Sequence, residues 1–122
     1  MDEAPFPLFD ELRPPSPVSA AGHRHRMRQR LLTAGGDSIA DHELLEMVLF
    51  LALPRRDTKT IARSLLSCFG SYAGAIAAPV PDLLRVEGLG DAGAAALKTV
   101  QAAASRLVRA EVMNRPVLGN WD

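Results

Sequence analysis

Between Gly22 and Asn114 the apolar residues recur at spacings of three and four, and each run stops at glycine or proline: Gly35-Gly36, Pro54, Gly70, Pro79 and Gly88-Leu89-Gly90. Helical periodicity interrupted this often permits only short helices joined by tight turns. No run of alternating β-branched residues occurs, so the chain offers no material for a sheet. Composition agrees: 48% of the 122 residues are hydrophobic and only 5% aromatic, which calls for a core of Leu, Ala and Val in one domain. The predicted fold is all-α, a compact bundle of short helices.

Five of the nine prolines fall within residues 1–20, which rules out a continuous helix there and predicts a flexible leader whose "FPLFDEL" has the make-up of a docking peptide. The helical domain is expected over residues 21–114. Its first helix, "HRHRMRQRLLTAGG", carries Met27, Leu31 and Leu32 on one side and ends on a left-handed glycine cap. "ADHELLEMVLFLALP" has acids in its first turn and an almost all-apolar body from Leu44 to Leu53, so it should be the central, most buried helix. Pro54 stops it. "PRRDTKTIARSLLSCFG" follows, with Asp57 or Thr58 as N-cap, Ile61, Ala62, Leu65, Leu66 and Phe69 facing inward, and Gly70 as C-terminal cap. "SYAGAIAAP" reads as a short helix capped by Ser71, and "VPDLLRV" as another with Pro81 in its first turn. The longest segment, "DAGAAALKTVQAAASRLVRAEVMN", spaces Leu97, Val100, Ala104, Leu107 and Val108 for one buried stripe. "RPVLGNWD", residues 115–122, is expected to run extended towards a following domain.

Formal net charge is zero, but residues 1–20 hold four acids against one arginine, which leaves the rest of the chain mildly basic. One cysteine, Cys68, excludes an internal disulfide and a cysteine-rich zinc site, and its apolar surroundings predict packing. The acidic N-terminus is unlike a signal peptide and no apolar run approaches the ~20 residues of a membrane span, so a cytoplasmic location is expected.

Gly88-Leu89-Gly90-Asp91-Ala92-Gly93 matches the spacing of a dinucleotide-binding turn. That turn needs a strand before the first glycine and a second strand ending in an acid ~20 residues on. Here "PDLLRV" is a proline-initiated helical turn and Glu111 lies inside a helical run, so neither strand exists. A P-loop fails for want of G-K-[ST]. What remains is a short helix, an apolar residue, Gly-apolar-Gly and a long helix. In that reading Val86 and Leu89 lock two helices together, and Gly93 is an incidental match. The glycines have two readings: a tight turn and nothing more, or a turn whose exposed N–H groups hold a phosphate.

This arrangement resembles the helix-hairpin-helix motif. "LLSCFGSYAGAIAAPVPDLLRVEGLGDAGAAALKTV" is similar to the paired hairpins of DNA-repair proteins such as the C subunit of the bacterial excinuclease, with "FGS" as a degenerate first hairpin. In order, "GHRHRMRQRLL", "GGDSIADHELLEMVLF", "PRRDTKTIARSLL", the hairpin and "RPVLGNWD" resemble the N-terminal domain of the RadC (UPF0758) family. The resemblance implies a DNA-repair association and a following zinc-peptidase-like domain of the JAB/MPN type, with ligands in an H-x-H…S-x-x-D pattern. His23-Arg24-His25 and Ser38 to Asp41 mimic that order, but no apolar strand precedes the histidines and two histidines that close on a helix face apart. Neither metal, cofactor nor catalytic activity is expected.

The expected function is a non-sequence-specific DNA-binding accessory module. Its hairpin backbone at Gly88, Leu89 and Gly90 would hold phosphate, with Arg85, Lys98, Arg24 and Arg28 as the supporting cations. Asp91 and Glu87 put negative charge beside that turn, and the arginine run has an alternative reading as a solvated helix face. The alternative function is a protein-interaction or structural domain that supports a JAB/MPN domain or another protein.

Overall fold

The computed structural model describes residues 17–114, with side chains from Ala21 onward. The "FPLF" stretch and "RPVLGNWD" lie outside the described residues. Every regular element described is helical, and the all-α reading holds.

The contacts divide the chain into two units at the Ser38–Ile39 boundary. The first contains α1, Pro17–Ala34, and a single 3-10 turn, Gly36–Ser38. Helix α1 starts four residues before the expected beginning of the helical domain at 21, because proline at a helix start sacrifices only an N–H that would be unpaired there anyway. The expected glycine cap closes it: Gly35 takes φ 87° and donates its N–H to the Leu31 carbonyl at 3.0 Å. Of its three expected inward residues Met27 is buried and Leu31 half-buried, but Leu32 is exposed.

The second unit is built from α2 (Asp41–Ala52), α3 (Thr58–Phe69), α4 (Tyr72–Ala77), α5 (Val80–Leu83) and α6 (Gly90–Met113). Helix α2 packs against α3, α4 and α6, which makes it the centre of the unit. At its start the Glu43 carboxylate accepts the Ala40 N–H at 3.0 Å, and it ends at Leu53, whose backbone leaves the helical region before Pro54. Asp57 caps α3, accepting the Thr60 N–H at 3.4 Å and the Thr60 hydroxyl at 2.8 Å, and Gly70 closes that helix at φ 84°. Ser71 caps α4 by accepting the Gly74 N–H at 2.9 Å.

The core is the set of residues these helices turn inward: Leu45 and Leu49 from α2, Ile61, Ala62 and Leu65 from α3, Ala75 and Ile76 from α4, then Leu83, Val86, Leu89, Ala94 and Leu97. Leu66 and Phe69 pack half-buried against it, as expected of that stripe.

Three expectations are corrected. Within the supposedly apolar body of α2, Leu51 is 87% exposed whereas Glu46 is buried, because the inward stripe follows Leu45 and Leu49 and the position of Leu51 faces away from it. Cys68 is exposed rather than packed. The stripe of α6 is buried only at its beginning: Leu97 is buried and Val100 half-buried, but Ala104, Leu107 and Val108 are exposed. Length explains the last of these. Helix α6 has 24 residues, whereas α2 and α3 have 12 each and α4 only 6, so at about 1.5 Å per residue it outruns the elements that could cover it.

Candidate nucleic-acid interface

Helix α5 and the residues after it form a compact entry to α6. Leu83, Val86 and Leu89 recur every third residue and all three point into the core, which leaves Arg85 and Glu87 on the outside. The Leu89 N–H donates to the Val86 carbonyl at 3.2 Å, closing a four-residue turn with Gly88 in its third place at φ 88°. A left-handed third residue is what a type II turn requires, and an L side chain takes that conformation only with strain. Gly90 at φ 64° then swings the chain into α6.

Helix α6 begins bonding when the Gly93 N–H reaches the Leu89 carbonyl at 3.1 Å. The N–H groups of Gly88, Gly90, Asp91 and Ala92 donate to no backbone carbonyl among the described residues. They sit at the positive end of a long helix, an arrangement suited to an anion.

Gly93, incidental as a match to the dinucleotide spacing, has a packing role of its own. A Cβ there would stand 2.8 Å from Leu89 Cγ, and Leu89 is fully buried, so this third glycine is what lets the hairpin close on its apolar lock.

The expected cations fall into distinct places. Arg85 is exposed immediately before the turn. The Lys98 ammonium donates to the Ile76 carbonyl at 3.1 Å and to Gln101 Oε1 at 3.0 Å, and so satisfies one of the last carbonyls of α4. Arg24, half-buried, and Arg28, exposed, lie one turn apart on α1 in the first unit.

One cation near the turn escapes a sequence reading. Between α2 and α3 the Arg56 N–H donates to the Leu53 carbonyl at 3.2 Å, and this tight loop brings the Arg56 guanidinium to the hairpin. Around the place that a Cβ on Gly88 would take, Ile61 Cδ1 lies at 3.3 Å and Arg56 Nη1 at 3.9 Å. "PRRDTK" carries no signal of this, because Arg56 and Gly88 lie far apart along the chain.

A second surface lies between α4 and α6. Tyr72, Ile76, Val100, Ala104 and Val108 line an open groove of about 840 Å³ with Arg109 at its edge. Burial, and then the charge of Asp41, push the Tyr72 phenol above its ordinary pKa. Further along α6, Leu107, Val112 and Met113 are exposed.

Among the described residues no three His, Cys, Asp or Glu side chains are grouped to hold a metal ion. No helix among them is long and apolar enough to cross a membrane.

No family model matches the chain, and no solved structure matches it either. Curated proteins do. A UPF0758 protein of Rhodobacter capsulatus is 50% identical over 96 residues, which is 79% of this chain and 45% of that protein. A UPF0758 protein of Ruegeria pomeroyi is 46% identical over 100 residues, 82% of this chain and again 45% of the relative. The chain therefore spans a little under half the length of the curated relatives it matches. Its homologues are UPF0758 proteins, the RadC family, with 46 to 50% identity across about four-fifths of the chain.

Proposed function

We propose that this chain is a cytoplasmic DNA-binding accessory module that holds the phosphate backbone, without reading base sequence, through the hairpin between α5 and α6. The observation that carries the reading is the set of N–H groups at Gly88, Gly90, Asp91 and Ala92, left without backbone acceptors at the start of a 24-residue helix. Contacts of this kind position a protein on DNA and carry no sequence information. Arg85 flanks the turn and Lys98 lies two turns into α6, while Arg24 and Arg28 are a separate pair on α1 in the first unit. With Glu87 and Asp91 also present, binding is weak and strongly salt-dependent, near the roughly 10⁻⁴ to 10⁻⁶ M of non-specific contacts. Titration of labelled duplex and branched DNA at several salt concentrations tests it: a steep fall in affinity with salt supports the reading, and no binding at low salt refutes it.

A second reading rests on a different surface. The distal half of α6 exposes Leu107, Val108, Val112 and Met113, of which Val108 and Val112 lie together on one face, and exposed apolar side chains in such number mark a contact with another protein or domain. In that reading the chain supports a JAB/MPN domain or another protein, and the groove beside Tyr72 belongs to the same contact. Protection of the matching segment from hydrogen exchange in a full-length UPF0758 relative, compared with residues 104–113 of this chain alone, tests it.

A further inference from the structure

We propose that Arg56 is the second side of the phosphate site, so that a DNA phosphate is held between the hairpin N–H groups and the Arg56 guanidinium. The proposal rests on the DNA reading above and adds to it a residue from a different part of the chain.

The charge balance at the turn makes a further cation necessary. Glu87 and Asp91 stand on either side of Gly88-Leu89-Gly90, whereas the start of α6 contributes only about half a positive charge. Lys98 commits two of its three N–H donors to Ile76 and Gln101, which fixes its ammonium at the end of α4. Arg56 comes from a different part of the chain. Its side chain is exposed and its Nη1 lies 3.9 Å from the Cβ position of Gly88, the residue at the apex of the turn. Its backbone is fixed by the bond to Leu53 and by the neighbouring Pro54, so the guanidinium is presented from a short, constrained loop. A planar guanidinium with five donors can take a phosphate oxygen pair and still keep a protein neighbour. Arg55, next to it, is exposed as well but is not among the nearest neighbours of Gly88, which makes it the natural control.

The test is fluorescence anisotropy of the full chain with a labelled duplex of arbitrary sequence, from about 50 to 200 mM salt. Arg56→Gln is expected to weaken binding about ten-fold and to make the slope of log affinity against log salt shallower by about 0.9, the value of one phosphate contact. Arg56→Lys should keep the slope and lose only about three-fold, because it retains the charge and gives up the paired hydrogen bonds. Arg55→Gln should leave the slope within error. Melting curves of all four proteins separate a loss of binding from a loss of fold. If Arg56→Gln binds like the parent while Gly90→Asn loses affinity, the Arg56 proposal fails and the hairpin reading stands. If the parent chain shows no salt-sensitive binding, both fail together.

Discussion

Gly93 stands so close to Leu89 that a Cβ on it would lie 2.8 Å from Leu89 Cγ. Leu89 is fully buried and has nowhere to retreat, so the glycine is a condition of the lock between α5 and α6. Gly93→Ala should therefore lower stability, even though alanine favours a helix over glycine by about 1 kcal/mol, because overpacking costs typically about 1–3 kcal/mol. A net loss near 1 kcal/mol, read as a drop of a few degrees in thermal melting, is expected. A higher melting temperature would contradict this packing.

The Lys98 ammonium makes a comparable long-range link, from the middle of α6 to the end of α4. Lys98→Met keeps the stem and removes the donor, at a cost of about 1 kcal/mol. Hydrogen exchange should speed up selectively in α4, and an unchanged α4 would show that the bond to Ile76 does not hold it.

The local signals were readable in the sequence, and the long-range ones were not. Asp57 and Ser71 as caps, and Gly35 and Gly70 as closures, depend on atoms within one turn of helix, so residue type alone locates them. The turn at Gly88 was legible for the same reason. The exposure of Ala104, Leu107 and Val108 depends on how far the neighbouring helices extend, which periodicity within α6 does not encode. Arg56 and Ile61 both come close to Gly88. Nothing near either residue in the sequence records that meeting, nor does it record that Gly93 makes room for Leu89.

Asp91 is exposed in the first turn of α6, where its charge suits the helix and opposes a phosphate. Asp91→Asn is expected to cost about 0.3–1 kcal/mol of stability through the lost interaction with the helix dipole. DNA affinity should move the opposite way, several-fold tighter at low salt, with the difference shrinking as salt screens it. Parallel melting and anisotropy titrations check both signs, and a fall in affinity would place the phosphate somewhere other than this turn.

Leu107 and Val112 are exposed on the distal half of α6 and are not part of the core. A double replacement, Leu107→Gln with Val112→Gln, should leave the melting of the chain unchanged to within about 0.5 kcal/mol. Introduced at the matching positions of a full-length UPF0758 relative, the same pair is expected to speed the exchange of the segment that matches residues 104–113. Equal exchange with and without the replacements would remove these side chains from the account of partner binding.

The central claim is that N–H groups at the start of α6 hold DNA phosphate, and Gly90→Asn tests it most directly. Gly90 takes φ 64° with no atom within 4 Å of a built Cβ, and asparagine tolerates that left-handed conformation better than other side chains, so the variant is expected to fold while it adds a side chain at the start of α6. Measured by anisotropy against labelled duplex at low salt, with melting curves as the control, the variant should keep its melting temperature to within a few degrees and bind DNA about ten-fold more weakly. A folded Gly90→Asn variant that binds with the parent's affinity and salt slope would contradict the account.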